Sequence, residues 1–218
     1  MVVLLLMGSI HSSLAQKHKA ITQWSIEIKP INAVTFREVF KSKSITVTPD
    51  SNSPKRCNGI IDLPLRNGKK ITFKDNKGVP HDEDRTSHIY LGQVKFLDCY
   101  LVEKNLFEST DYLLINKKTG ITDTLAGLPV LSPDGKTICC TNFNPYEEHA
   151  DIQPPTQDIY LSSVTDRRLS RPQRLSYNKM MITGYSWADN SSLVISYKVR
   201  EEDNDHALKY ARLFLKRK

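Results

Sequence analysis

Leu128-Pro-Val-Leu-Ser-Pro-Asp-Gly-Lys-Thr-Ile-Cys-Cys140 reads as a single β-hairpin. The segments Leu128–Ser132 and Lys136–Cys140 are its strands, joined through Pro133-Asp134-Gly135. Proline presets the second turn position, and glycine takes the left-handed residue that closes a hairpin with a bulge. The same grammar extends outward in both directions. Toward the C-terminus the strands are Asp158–Ser162, Arg174–Ser176, Ile182–Trp187, Leu193–Tyr197 and Ala207–Leu215. Toward the N-terminus come Asp111–Lys117, Leu97–Glu103 and His88–Phe96. Lys70–Phe73 and Ile60–Leu65 flank Arg66-Asn67-Gly68-Lys69, where Asn-Gly supplies the positive φ angles of a two-residue hairpin turn. Ile45–Thr48, Val34–Phe40 and Trp24–Ile28 complete the set. Short runs rich in Ile, Val, Thr, Tyr and Phe, punctuated about every 8–12 residues by turn formers, specify an all-β domain. Roughly fifteen strands amount to nearly four meanders of four.

Leu128–Tyr197 resembles the TolB-type propeller repeat. That repeat has a Ser-Pro-Asp-Gly-Lys hairpin, an Asp-Ile-Tyr strand, an Arg-Leu-Ser/Thr segment and an aromatic strand. Here they stand as Ser132–Lys136, Asp158-Ile-Tyr-Leu161, Arg174-Leu-Ser176 and Gly184-Tyr-Ser-Trp-Ala-Asp-Asn190. Trp187-Ala-Asp-Asn-Ser191 is a degenerate copy of the hairpin turn, and residues 17–87 show no copy. Tyr90–Cys140 is also similar to a group of uncharacterised secreted bacterial proteins. The shared elements are Tyr90-Leu-Gly92, Tyr100-Leu-Val102, Tyr112-Leu-Leu-Ile115, Thr119-Gly120 and Pro129–Gly135. The resemblance implies a small irregular or partial propeller-like stack of antiparallel meanders, with residues 88–198 carrying the repeats. A β-sandwich is the alternative. A Ser-Pro-Asp-Gly hairpin exists because a turn needs it, so the likeness speaks to architecture rather than activity.

The apolar run Met1–Ile10 is too short to span a bilayer as a helix. It ends in Ser13-Leu14-Ala15, a small-x-small pattern, so residues 1–15 are expected to be a secretory signal, although no Lys or Arg precedes the run. Residues 16–218 then form one all-β domain in the periplasm or outside the cell, with no transmembrane segment. The formal charge of +7 comes from scattered Lys and Arg, clustered only at Lys69-Lys70, Lys117-Lys118, Arg167-Arg168 and Lys216–Lys218. No recognition motif interleaves them, so no nucleic-acid partner is expected. The mean hydropathy of −0.42 and 39% hydrophobic residues are compatible with a core under a polar surface.

Cys57, Cys99, Cys139 and Cys140 show no C-x-x-C spacing. Adjacent residues on a strand point to opposite faces, so at most one of Cys139 and Cys140 meets a given partner. Cys99, in Leu97-Asp-Cys-Tyr-Leu-Val102, is the natural cross-strand neighbour, which makes Cys99–Cys139 a candidate disulfide. Buried free thiols are the equal alternative.

Two polar segments, 74–87 and 142–157, interrupt the strands. The acidic run His81-Asp-Glu-Asp84 lacks the glycine and glutamate of a calcium-binding loop and reads as a solvated turn, as does Glu201–His206. No pair of histidines has ligand spacing, and no metal or other cofactor is expected. Tyr146, Glu147, Glu148, His149, Asp151 and Asp158 form the candidate binding constellation. It could do acid–base work in a cleft, but no nucleophile elbow, metalloprotease motif or phosphate loop accompanies it. Trp24, Trp187, Tyr90, Tyr100, Tyr112, Tyr160 and Tyr185 are expected to pack between sheets. The leading reading is a non-enzymatic binding module for a protein or an envelope polymer. A carboxylate-dependent hydrolase or carbohydrate-active protein, and a structural envelope component, are the alternatives.

Overall fold

The computed structural model describes residues 23–41, 47–50, 54, 56–79, 84–107, 109–144, 155–178, 180–199 and 207–217. In chain order the elements are β1 (Trp24–Pro30), α1 (Ala33–Lys41), β2 (Ile60–Pro64), β3 (Lys70–Lys74), β4 (Ser87–Val94), β5 (Cys99–Asn105) and β6 (Thr110–Asn116). They continue with β7 (Thr122–Leu125), β8 (Val130–Leu131), β9 (Thr137–Asn144), β10 (Thr156–Thr165) and β11 (Arg168–Leu169). The last four are β12 (Gln173–Asn178), β13 (Met180–Asp189), β14 (Ser192–Val199) and β15 (Leu208–Arg217).

The chain is all-β, and its strands form several antiparallel sheets, with no closed barrel among the described residues. The first sheet is the β2–β3 hairpin, the second runs β4-β5-β6-β7, and the third runs β8-β9-β10, with β11 and β12 both pairing with β10. In the fourth, β13-β14-β15 is extended by β1, with Trp24 opposite Arg217 and Pro30 opposite Ala211. An early strand thus closes the last sheet.

Side-chain alternation stacks the sheets. Ile61 and Leu63 on β2 pack against Val102, Leu113 and Ile115 of the second sheet. From the opposite face of that sheet, Leu101 and Leu114 meet Leu131, Ile138 and Cys140 of the third. Cys139, Ile159 and Leu161 turn the other way and meet Trp187, Leu193, Ile195 and Leu213 of the fourth. Leu101 and Val102 are neighbours on β5, both fully buried, yet belong to different cores. Strands buried on both faces read as continuous apolar runs, and each such side chain stabilises the stack by about 1.5–3 kcal/mol.

Val34–Phe40, expected as a strand, is helical as part of α1. Asn32 caps it: the Thr35 N–H donates to Asn32 Oδ1 at 2.8 Å, and the Phe36 N–H donates to the Asn32 carbonyl. Phe36, Val39 and Phe40 lie at i, i+3 and i+4, so they share one helical face despite their β-favouring types. Phe36 stacks on Phe40 and tilts against Tyr210, on the face of β15 opposite the buried Ala211 and Leu213. Tertiary packing has overridden local propensity here. The short strands β7 and β11 were not foreseen either. Ile45–Thr48 lies partly outside the described residues, and Thr48 forms an isolated bridge to Gln93.

Tight turns gather at one end of the stack. In the Ser132–Lys136 turn, Ser132 Oγ–H donates to Asp134 Oδ1 (2.7 Å), which also accepts from the Lys136 N–H (3.0 Å). Gly135 has φ +69, as the turn requires. In the degenerate copy Asp189 Oδ1 accepts from the N–H and hydroxyl of Ser191. The two turns touch: the Asp134 N–H donates to Asn190 Oδ1 at 2.9 Å. Phe96, in the corresponding turn of the second sheet, lies against Gly135, and Arg66 of the first hairpin pairs with Asp98 at 2.7 Å. At the opposite end lie the C-terminal ends of β5, β7, β9 and β14.

Candidate functional site

At that second end, a cleft of about 850 Å3 opens between the second and third sheets. One wall is the β5–β6 turn and the start of β6, with Phe107, Ser109, Thr110 and Tyr112. The facing wall is the end of β9, Thr141–Asn144. Ala126-Gly127-Leu128 and the Tyr185 ring complete it.

The cleft is shaped by one close approach. A Cβ on Gly127 would lie 2.1 Å from the Thr141 carbonyl oxygen and 3.1 Å from the Thr141 nitrogen. Only glycine lets segment 126–128 press so closely on β9. Tyr185 reaches across from the fourth sheet, and its hydroxyl donates to the Leu128 carbonyl. Burial, with the neighbouring Cys139 and Cys140, pushes this phenol far above its usual range, so it stays a neutral hydrogen-bonding group. Burial and the Glu103 carboxylate raise Tyr112 as well. Phe107 and Leu128 are exposed apolar side chains in the cleft. Among the described residues the lining contains no acid, no base and no histidine.

Of the six candidate binding residues, Tyr146, Glu147, Glu148, His149 and Asp151 lie outside the described residues. Asp158 is described and is not part of the cleft lining. It is 2% exposed on β10, and its Oδ2 accepts from Arg174 Nε on neighbouring β12 at 2.8 Å. Tyr160 Oη–H and Thr156 Oγ1–H lie 3.4 Å from its two oxygens. Its next neighbour Gln157 is buried on the other face and ties sheets together: Oε1 accepts from the Ile182 N–H (2.8 Å) and Nε2 donates to the Asn142 carbonyl (2.8 Å). These are structural roles. Sequence reasoning directed attention to segment 142–157, whose first residues Asn142, Phe143 and Asn144 do line the cleft, but passed over Gly127 and Thr141. The signal available was a glycine outside any turn motif, with an aromatic and two amides at a strand end.

The other segment of interest, 74–87, is pinned at its base. Asn76 and Thr86 form a bridge, and Asn76 Nδ2 donates to the Asp84 carbonyl at 2.9 Å. His81, Asp82 and Glu83 lie outside the described residues. Asp75 accepts from the His88 N–H (2.8 Å) and pairs with Arg56. Its own burial would raise the carboxyl, but the bonds from Arg56 and His88 outweigh that and hold it below the usual carboxylate range. Among the described residues no group of three or more His, Cys, Asp or Glu is placed to hold a metal ion. No described helix is long and apolar enough to cross a membrane.

The four cysteines are free thiols, and Cys99 and Cys139 are not bridged. They sit in different cores: Cys139 faces the fourth sheet, while Cys140 shares the second-to-third core with Cys99. Burial raises the Cys99 and Cys140 thiols to about 12 and Cys139 well above its ordinary value. The aromatic residues expected between sheets are there: Trp24, Trp187 and Tyr100 are buried, and Tyr90, Tyr112, Tyr160 and Tyr185 pack against the three cores.

Fold and cleft together define an all-β stack carrying an open groove at one end, with no acid or base among its described lining residues. No protein-family model, no curated protein and no solved structure matches the chain.

Proposed function

We propose that this chain is a non-enzymatic binding module. It works outside the cytoplasm, on a partial-propeller scaffold of TolB-type meanders, and takes its ligand in the cleft between the second and third sheets. One observation carries this reading: the cleft is walled by aromatic rings, hydroxyls and amides, with no acid or base among its described residues. Such a surface has groups for contact and orientation, and among its described residues no carboxylate, imidazole or amine stands beside the hydroxyls to activate them. The apolar run before Ala15 supports export. The carboxylate-hydrolase alternative draws no support from Asp158, whose carboxylate is held by Arg174.

The test uses the full chain immobilised and challenged with purified envelope polymers and with a periplasmic extract. Asn142, exposed on the cleft wall, is replaced by tryptophan to fill the groove. Retention of a defined polymer or polypeptide by the wild type and its loss in Asn142→Trp is the expected result. Equal retention by both proteins moves the binding surface elsewhere.

A further inference from the structure

We infer that the turn end of the stack, opposite the cleft, seats on an anionic phospholipid surface, independently of the cleft and its ligand. Six connections meet at that end: residues 65–69, 95–98, 117–121, 132–136, 166–167 and 190–191. Hydrogen bonds tie them into one face. The Arg66 N–H donates to the Lys117 carbonyl at 2.9 Å, the Lys117 N–H to the Asp98 carbonyl at 3.0 Å, and the Val164 N–H to the Lys136 carbonyl at 2.8 Å. The Phe96 ring on Gly135 and the Asp134 bond to Asn190 carry the face from the second sheet to the fourth. Stacked sheets lie about 10 Å apart, so the four span roughly 30 Å.

The face is basic. Its six connections hold seven Lys or Arg and three Asp. Asp98 is paired with Arg66, Asp134 is bound within its own turn, and of the three only Asp166 is exposed. Lys117 is occupied as well, donating to Gln93 Oε1 and lying over the Tyr100 ring. Lys69, Lys95, Lys118, Lys136 and Arg167 remain exposed, outside the ion pairs of the described residues. Behind the turns, Asp62 and Asp189 are paired with Lys70 and Arg212, and Asp123 is exposed on β7. Residues 1–22, 51–55 and 218, which continue the chain from Trp24, Asp50 and Arg217 beside this face, contain Lys and no acid. Eight of the chain's 24 acids fall instead in 106–109, 145–155 and 200–207, which follow β5, β9 and β14 in sequence.

Two large apolar side chains stand among these cations. Phe96 is 53% exposed although its ring rests on Gly135, and Ile121 is 63% exposed. Exposed apolar groups set among cations fit a bilayer interface. There ammonium and guanidinium groups meet headgroup phosphates, while rings and aliphatic chains enter the acyl boundary. A soluble polyanion would engage the cations and leave Ile121 without a role. Cations spread over about 30 Å also match a continuous field of negative charge better than one small anion.

The experiment is co-sedimentation of the full chain with vesicles of phosphatidylcholine alone and of phosphatidylcholine mixed with phosphatidylglycerol, at low and at physiological salt. Three variants are run in parallel, each checked for native circular dichroism and melting. They are the triple change Lys95→Gln, Lys118→Gln, Lys136→Gln, the single change Ile121→Ser, and Asn142→Trp in the cleft. The expected result is binding that requires phosphatidylglycerol and weakens as salt rises. Each cation near the surface contributes roughly fivefold, so the triple variant should bind about a hundredfold more weakly. Ile121→Ser should weaken binding roughly threefold or more, and Asn142→Trp should bind as the wild type does. Equal sedimentation with both kinds of vesicle, or wild-type binding by the triple variant, overturns the inference. Binding lost in Asn142→Trp places the membrane contact at the cleft and overturns it as well. Binding that Ile121→Ser leaves unchanged and that polygalacturonate abolishes assigns the face to a soluble polyanion, and the lipid inference falls.

Discussion

Replacing Gly127 by alanine tests the close approach on which the cleft depends. The added methyl would meet the Thr141 carbonyl oxygen at 2.1 Å and its carbon at 3.0 Å, so one of the two segments must retreat by close to an ångström. Thr141 cannot easily give way, because it is paired with Ile159 on β10, and Ile159 is fully buried in the third-to-fourth core. The strain therefore falls on 126–128 and the Tyr185 bond to Leu128. Overpacking costs about 1–3 kcal/mol, and a rigid backbone partner places this case at about 3. For a domain of this size that is a fall in Tm of roughly 6–12 °C. Gly68→Ala is the matched control: nothing lies within 4 Å of its Cβ, but its φ is +78. Conformational strain alone should cost about 1–2 kcal/mol there. Thermal unfolding followed by circular dichroism separates the two. A Gly127→Ala protein melting within about 2 °C of wild type, or above Gly68→Ala, would refute the steric argument.

Three further outcomes are expected. Asp158→Asn removes the charge that holds Arg174 and should lower stability by about 1–3 kcal/mol, read as a shift in the urea midpoint at constant slope; an unchanged midpoint would mean the pair contributes nothing. A thiol reagent should modify Cys57 alone in the native protein, since the other three are buried with raised pKa, and all four after denaturation; two reactive thiols on denaturation without reductant would instead reveal a bridge. Asp75 has a folded pKa held below its ordinary 3.8, so its contribution is present above that value and is lost as pH falls through the folded pKa. The stability gap between wild type and Asp75→Asn should accordingly shrink on acidification, and a gap independent of pH would contradict it.

Much of the scaffold was legible because it is written locally. Asn67-Gly68 and Pro133-Asp134-Gly135 mark turns whose chemistry depends on a few adjacent residues, and both hairpins form, although only Gly68 and not Asn67 has positive φ: the first loop holds three residues, 66–68, between Leu65 and Lys69 rather than the expected two. The same holds for the opposed directions of Cys139 and Cys140, a consequence of strand periodicity. Helix α1 was missed because Val34, Thr35 and Val39 favour strands in isolation, while the packing of Phe36 and Phe40 against the fourth sheet decides otherwise.

What the sequence by itself determined, then, is an all-β chain, the places of its turns and the opposite facing of neighbouring side chains, since each depends on residues within a few positions of one another. Only the tertiary structure decided that β1 closes the last sheet against β15, that Cys99 lies with Cys140, and that Asp158 belongs to Arg174. It also decided the cleft, whose walls come from Phe107, Gly127, Asn142 and Tyr185 on two connections and two strands. Such contacts join residues distant along the chain, and their pairing is selected by the burial of whole sheets rather than by any local preference.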